Sequence, residues 1–255
     1  SIRAGGSVGV FVKEIERALL EGEIDLAVHS MKDLPTDERP GLRVAAIPER
    51  EDPRDALVSS GGIGFSDLPS GSRIGTGSLR RQAQLLALRP DLEVVDIRGN
   101  INTRLNKLQG AGYDAVVVAS AGLNRLGLQN RITERFSLHR MLPAPGQGAL
   151  AIQARSNDAR VLSVAAALDH AATSIEVRAE RVFLRHIGGG CNVPVAAHAR
   201  VEGARIRVDG LIIAPDGRRV LHEYVTDRPE AAGAAAAALA DHILSRGGRA
   251  ILDAL

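Results

Sequence analysis

Ser72-Arg73-Ile74-Gly75-Thr76-Gly77-Ser78-Leu79-Arg80-Arg81-Gln82-Ala83-Gln84-Leu85-Leu86-Ala87-Leu88 is the stretch on which the fold turns. Ser72 to Ile74 reads as a strand, Gly75-Thr76-Gly77-Ser78 as a bend, and Leu79 to Leu88 as a helix. The unit recurs downstream. Leu92 to Ile97 is a strand, and Arg98-Gly99-Asn100 leads into a helix reaching about Leu108, closed by Gly110 and Gly112. Asp114 to Ser120 is a third strand, followed by a short helix with Asn124 and Arg125. Strands alternating with helices predict a parallel α/β sheet.

Upstream, apolar residues at 11, 12, 15, 18 and 19 have helical spacing, and Gly22 stops that helix. Ile24 to Val28 is a nearly continuous apolar run, which predicts a strand buried on both faces. A polar loop from His29 to Pro35 and a strand from Leu42 to Ile47 follow. Pro48 to Asp55 is charged and proline-bounded, a candidate hinge. The helix, Gly and Glu23–Val28 series faintly repeats in the helix, Gly112 and Tyr113–Val118, as two related lobes would.

Met141 to Gly148 forms a second connector, and the strand after it, Leu150 to Gln153, could return to the first lobe. Beyond Ser156 the pattern changes to helices up to about Ile187, then a glycine-rich turn. Strands over 196–201, 206–213 and 220–225 and an Ala-rich helix over 230–244 complete a small antiparallel α+β unit. Pro215-Asp216-Gly217 marks the turn between the last two strands.

The chain has 255 residues, 45% hydrophobic and 24% charged, enough for more than one core. A net charge of +2, with no Trp, two Tyr and four Phe, argues against nucleic-acid binding by stacking. No apolar run is long enough to span a bilayer, and no segment reads as a signal peptide. One cysteine fits a reducing compartment, so the expected location is the cytoplasm. The opening Ser1 to Gly6 reads as a loop, so the chain is expected to have lost its beginning.

Ligands of open α/β sheets gather at strand carboxyl ends. Lys32 and Asp33 follow one strand, and Thr76, Ser78, Arg80 and Arg81 another; Arg98, Arg104 and Arg125 complete the set. Each arginine alone reads as a solvated helix face; five at matching positions point to a ligand with several carboxylates or phosphates. Asp33 is the exception in that cationic company. It suits proton transfer or stabilisation of a cation, and equally a structural ion pair. Cys191, the sole cysteine, sits in Gly188-Gly189-Gly190-Cys191-Asn192-Val193-Pro194 with Arg185 and His186 upstream. It is either a reactive or attachment thiol or a small buried apolar residue. Gly75 to Ser78 lacks the Lys-Ser/Thr ending of a nucleotide loop, and His29 has no second ligand at metal-binding spacing, so no metal is expected.

An ordered series of segments now resembles one family, porphobilinogen deaminase, also called hydroxymethylbilane synthase. It runs from Gly9-Val10-Phe11-Val12-Lys13-Glu14 through Ala27–Pro35, Arg50–Ala56, Gly75–Gln82, Ile97–Asn100, Thr103–Leu105 and Ala121–Gly127 to Pro145–Ala149 and Gly189–Pro194. The resemblance implies stepwise condensation of four porphobilinogen molecules into hydroxymethylbilane with release of ammonia. It implies a dipyrromethane cofactor joined by a thioether to Cys191, and Asp33 beside the pyrrole nitrogens, assisting deamination and stabilising cationic intermediates. Arg80, Arg81, Arg98, Arg104 and Arg125 would bind acetate and propionate groups, helped by Ser30, Lys32, Thr76, Ser78 and Gln147. The implied fold is two lobes like type II periplasmic binding proteins plus a small C-terminal domain that anchors the cofactor. The first domain would be 1–50 with 149–167, the second 54–142 and the third 168–255. A monomer acting on a small-molecule substrate, with no nucleic-acid or membrane partner, is expected. The family's N-terminal strand, helix and strand, with an active-site arginine and serine, have no counterpart in this sequence, and Val8 stands where many members carry lysine. A solute-binding module with the same two lobes is the competing reading; Cys191, Asp33 and the lack of a signal peptide argue against it.

Overall fold

The structure, a computed structural model, describes residues 6–110, 112–188 and 193–255. Cys191 with its neighbours Gly189, Gly190 and Asn192 lies outside the described residues.

Helix α1 (Gly6–Leu20) buries Val12 and Leu19 against a three-stranded sheet of order β1-β8-β2, made of β1 (Leu26–Ser30), β2 (Leu42–Ala46) and the returning β8 (Leu150–Arg155). Both outer strands run antiparallel to β8, with Leu26 opposite Ala154 and Leu42 opposite Arg155. The expectation that the first strand is buried on both faces is not met. Ala27 and His29 point inward, whereas Leu26 and Val28 are 43% and 56% exposed. Continuous hydrophobicity cannot distinguish a covered face from an uncovered one.

The second sheet has order β5-β4-β6-β3-β7. Its strands are β3 (Asp55–Ser59), β4 (Arg73–Gly75), β5 (Glu93–Val95), β6 (Ala115–Ala119) and β7 (Glu134–Arg135), with helices α2 (Leu79–Leu88), α3 (Ile101–Gly110) and α4 (Ser120–Arg125) interleaved. Pairing of β4 with β5 and with β6 is parallel, while β3 is antiparallel to β6 and β7. Strict alternation divides its residues between two cores. Leu57 and Val117 join Phe65, Ile74, Leu85 and Phe136 on one face, while Ala56, Val58, Val116 and Val118 join Ile97, Leu105 and Leu123 on the other.

The third unit is an antiparallel sheet of order β11-β10-β9, from β9 (Val195–Glu202), β10 (Arg205–Ile213) and β11 (Val220–Asp227). Helix α5 (Ala159–Ala166) packs on the first sheet; α6 (Ala171–Ile187) and α7 (Ala232–Ile243) cover one face of the third, and α8 (Arg249–Leu252) ends the chain. The alanine run of α7 buries Ala235, Ala236 and Ala240. Gly210 admits the Phe183 ring, since a Cβ there would stand 2.4 Å from it. The α/β class with an appended α+β unit is therefore the one observed, although the strand pairs of the first sheet are antiparallel and the second sheet is mixed.

Two chain crossings join the first two sheets, 47–54 and 142–149, and run side by side. Glu51 N donates to Gly148 O at 3.2 Å. A Cβ on Gly148, where φ is +88°, would lie 2.4 Å from Glu51 O. The third unit clamps both crossings through Glu180, fully buried on α6. Its carboxylate accepts Arg50 Nη1 at 2.6 Å and Nη2 at 3.1 Å, Gly146 N at 2.6 Å and Ala199 N at 2.8 Å. Four donors on a buried carboxylate compensate for its desolvation.

Candidate functional site

A cleft of about 540 Å³ opens between the two α/β sheets, with its third wall from the C-terminal unit. On the first side β1 ends at Ser30, and a single tight turn, Met31–Asp33, presents Lys32 and Asp33 to the cleft. Met31 is buried and anchors the turn: a Cβ on Gly146 would lie 2.7 Å from Met31 Cγ, so only glycine allows this approach. On the second side Ser78, Arg80 and Arg81 come from the start of α2, Arg104 from α3 and Arg125 from the end of α4. Gln147 of the second crossing lies between. Among the described residues Asp33 is the sole carboxylate lining the cleft, facing four arginines and a lysine.

Beneath that lining is a carboxylate the sequence did not single out. Asp55, at the start of β3, is fully buried. Its Oδ2 accepts Arg80 Nη1 at 2.7 Å, and its Oδ1 accepts Arg81 Nε and Gln147 Nε2, both at 2.9 Å. Burial alone would raise its pKa, but the two guanidinium groups and the hydrogen bonds outweigh that and hold it well below the usual carboxylate range. Arg80 Nη1 also donates to Leu142 O at 2.8 Å, and Gln84 brackets Leu142 with two more bonds. Asp55 thus fixes two arginine side chains from behind, leaving the buried Nε of Arg80 without a hydrogen-bond partner among the described residues.

Arg104 donates its Nε to Gly99 O at 2.8 Å; burial, then the nearby Arg81, lowers its pKa. Lys32 responds more strongly: burial, then Arg81, pushes its ammonium down to about 8. The cleft should therefore lose the Lys32 charge in the mildly alkaline range. We expect the affinity for benzene-1,2,4,5-tetracarboxylate, measured by calorimetry, to fall several-fold between pH 7 and pH 9, because one of five cations is lost. Lys32→Gln should bind more weakly at pH 7 and show a flat profile across this range.

Two residues expected at the site are placed elsewhere. Arg98 pairs with Asp96 through Nε at 2.8 Å, its side chain 70% exposed, and does not line the cleft. Thr76 is buried; its Oγ1 accepts Ser78 N at 3.3 Å and shapes the entry to α2. Arg185 is committed to Thr36 O at 2.5 Å and to Asp37 at 3.3 Å. Cys191 itself is outside the described residues, but Leu184 and Val193, which bracket its segment, both line the cleft. Arg50, Asp55 and Glu180 were missed as site-building residues. The one available signal was an acidic residue heading an apolar run, Asp55-Ala56-Leu57-Val58, which the charged stretch before it concealed.

A cationic cleft with one carboxylate is what the ordered motifs lead one to expect, and comparison with known proteins agrees. Residues 1–163 match the family profile described as porphobilinogen deaminase, dipyromethane cofactor binding domain. Residues 174–245 match that of porphobilinogen deaminase, C-terminal domain. Porphobilinogen deaminase of Pelobacter propionicus is 52% identical over 248 residues, spanning 97% of this chain and 80% of that protein. The enzymes of Roseiflexus and Geobacter are 51% and 50% identical, covering 98% and 97% of this chain and 82% and 77% of theirs. With two family profiles in sequence and half of all residues shared along nearly its whole length, the chain belongs to the porphobilinogen deaminase family.

Proposed function

We propose that the cleft between the two α/β sheets is where this chain assembles hydroxymethylbilane from porphobilinogen, with Asp33 as the catalytic carboxylate and Cys191 as the cofactor attachment point. The observation that carries the reading is one carboxylate among four guanidinium groups and a lysine, in a cleft whose wall includes Leu184 and Val193, on either side of the segment that holds Cys191 in the sequence. The donor set fits dipyrromethane, which bears acetate and propionate side chains. Arg80 has an unmatched buried Nε, and Arg81, Arg104, Arg125 and Lys32 supply further cations. When bound, that group supplies the primer pyrrole to which substrate units are added.

The chain's own residues then have separate tasks. Arg80 and Arg81, held by Asp55, present fixed forks to carboxylates; Arg104 and Arg125 extend the same surface, with Ser30, Ser78 and Gln147 adding hydrogen bonds. Asp33 accepts an N–H or a proton at its carboxylate oxygens and stabilises positive charge next to it. Thr76 acts through the shape of the α2 entry, and Arg98 serves as an outer cation able to leave its exposed pair with Asp96. Residues 1–50 with 149–167, 54–142 and 168–255 act as three bodies in this reading. In this reading the chain works as a cytoplasmic monomer; among the described residues no helix is long and apolar enough to cross a membrane.

Intact mass tests the attachment. Chain made in cells that produce porphobilinogen should exceed its sequence mass by two condensed pyrroles, and Cys191→Ser should remove the excess. An excess that survives Cys191→Ser would move the attachment point to another residue.

A further inference from the structure

A second groove, of about 570 Å³, lies behind the turn that carries Lys32 and Asp33, between α6 and β2. It shares no lining residue with the cleft. Its floor is apolar, built from Met31, Leu42, Val44, Ile47 and Val182. Its rim carries four arginines and one carboxylate, Glu38. Arg178, Arg181 and Arg185 repeat along one face of α6, and Arg43 faces them from β2.

The four arginines fall into two kinds. Arg181 is pinned, donating Nη1 to Leu34 O at 3.3 Å and Nη2 to Pro35 O at 2.6 Å and Thr36 O at 3.2 Å. Arg185 is held by Thr36 O and Asp37. By contrast, neither Arg43 nor Arg178 makes a side-chain hydrogen bond or ion pair with any described residue. The acidic groups nearby are already engaged: Asp37 with Arg185, and Glu38 Oε1 with Val44 N at 3.2 Å. A solvated helix face would account for Arg178 alone. Arg43, likewise exposed, faces it from a different element across the floor, so the two guanidinium groups converge on one groove.

We infer that this groove is a binding site for a small organic anion with an apolar body and a carboxylate, its body on the Met31–Val182 floor and its charge between Arg43 and Arg178. The volume is that of a small-molecule pocket, and an apolar floor with a few convergent polar groups is its usual composition. The occupant would touch Met31, the residue before Lys32, beside the backbone that Arg181 grips just after Asp33. Occupancy should therefore tighten the turn and the segment after it.

The probe is naphthalene-2-carboxylate, titrated into the intact chain by calorimetry. Saturable one-to-one binding is expected, and the double variant Arg43→Glu/Arg178→Glu should weaken it at least about tenfold by reversing both charges. The milder Arg43→Gln/Arg178→Gln should weaken it too, with thermal midpoint and tetracarboxylate affinity at the cleft unchanged; this pair decides the matter if charge reversal disturbs folding. 2-Naphthol, with the body but no charge, and inorganic phosphate, with charge but no body, should each bind more weakly. Hydrogen exchange should slow across residues 31–36. Naphthoate binding that both double variants leave intact, phosphate binding as tight as naphthoate, or no saturation at millimolar naphthoate would overturn the assignment.

Discussion

Asp55→Ala should lower the unfolding free energy by about 3–5 kcal/mol, because removing one partner of a buried ion pair leaves its counter-charges desolvated and uncompensated. Here two guanidinium groups lose their partner, and Arg80 and Arg81 are only 3% and 6% exposed. Urea unfolding of this chain measures the loss. The triple variant Asp55→Leu/Arg80→Met/Arg81→Met should recover most of that stability, since apolar groups of similar volume can replace a buried charge cluster at little cost. It should not recover tetracarboxylate binding, which needs the forks. Full binding in the triple variant would detach these arginines from the site. The pH dependence has a definite sign. Asp55 titrates lower in the folded chain than in the unfolded one. Its contribution is therefore complete above the unfolded-state carboxylate pKa of about 4 and is lost as pH falls toward the depressed folded value. Asp209 adds to the same acid window: burial raises it, but Arg207 and His222 outweigh this and hold it at about 2.

Much of the framework was legible because it rests on periodicity. Leu79 to Leu88, read as a helix from apolar spacing between Ser78 and Pro90, is helical over those residues. The return of the chain to the first sheet after Gly148 could be read from a short apolar run behind a Pro/Gly connector, and β8 does sit between β1 and β2. What escaped depends on distance in sequence. Asp55, the first residue of β3, reads in the sequence as the end of the charged connector, because no local pattern tells a carboxylate bound for burial between two arginines 25 and 26 positions away from one left in water. Parallel pairing is expected in the α/β part because helices separate the strands, yet β8 and β3 enter their sheets through the crossings and run the opposite way. Arg98 and Arg104 could not be separated by sequence either. Both follow the same strand, but Arg98 finds Asp96 two residues away, whereas Arg104, further along α3, faces the cleft.

The cleft also shows why cation count alone does not describe the site. Asp55 neutralises part of the charge of Arg80 and Arg81 while fixing their planes, so these two act as rigid forks more than as free charge. Arg125 is exposed and Arg104 half-buried, so their side chains are less fixed than those of Arg80 and Arg81. Arg50 and Glu180 meanwhile tie the two crossings to α6 through one buried ion pair.

Replacing Asp33 by Asn separates binding from chemistry. The substitution keeps size and hydrogen-bonding capacity but removes the one carboxylate facing the cleft among the described residues. Conversion of porphobilinogen to hydroxymethylbilane should fall by about 10²–10³-fold, the usual cost of losing a preorganised group that stabilises charge developing in the transition state. Affinity for an anion should move the other way. With Asp33 neutralised, no carboxylate among the described lining residues repels a tetracarboxylate, so Asp33→Asn should bind it more tightly than the unsubstituted chain at pH 7. The opposite signs matter, because a variant that merely loosened the Met31–Asp33 turn would lose turnover and affinity together. The mass excess at Cys191 should persist in Asp33→Asn material, since attachment and elongation use different residues in this scheme. Turnover within a few-fold of normal would remove Asp33 from the reaction. Turnover and anion affinity falling in step would make it a structural residue of the turn.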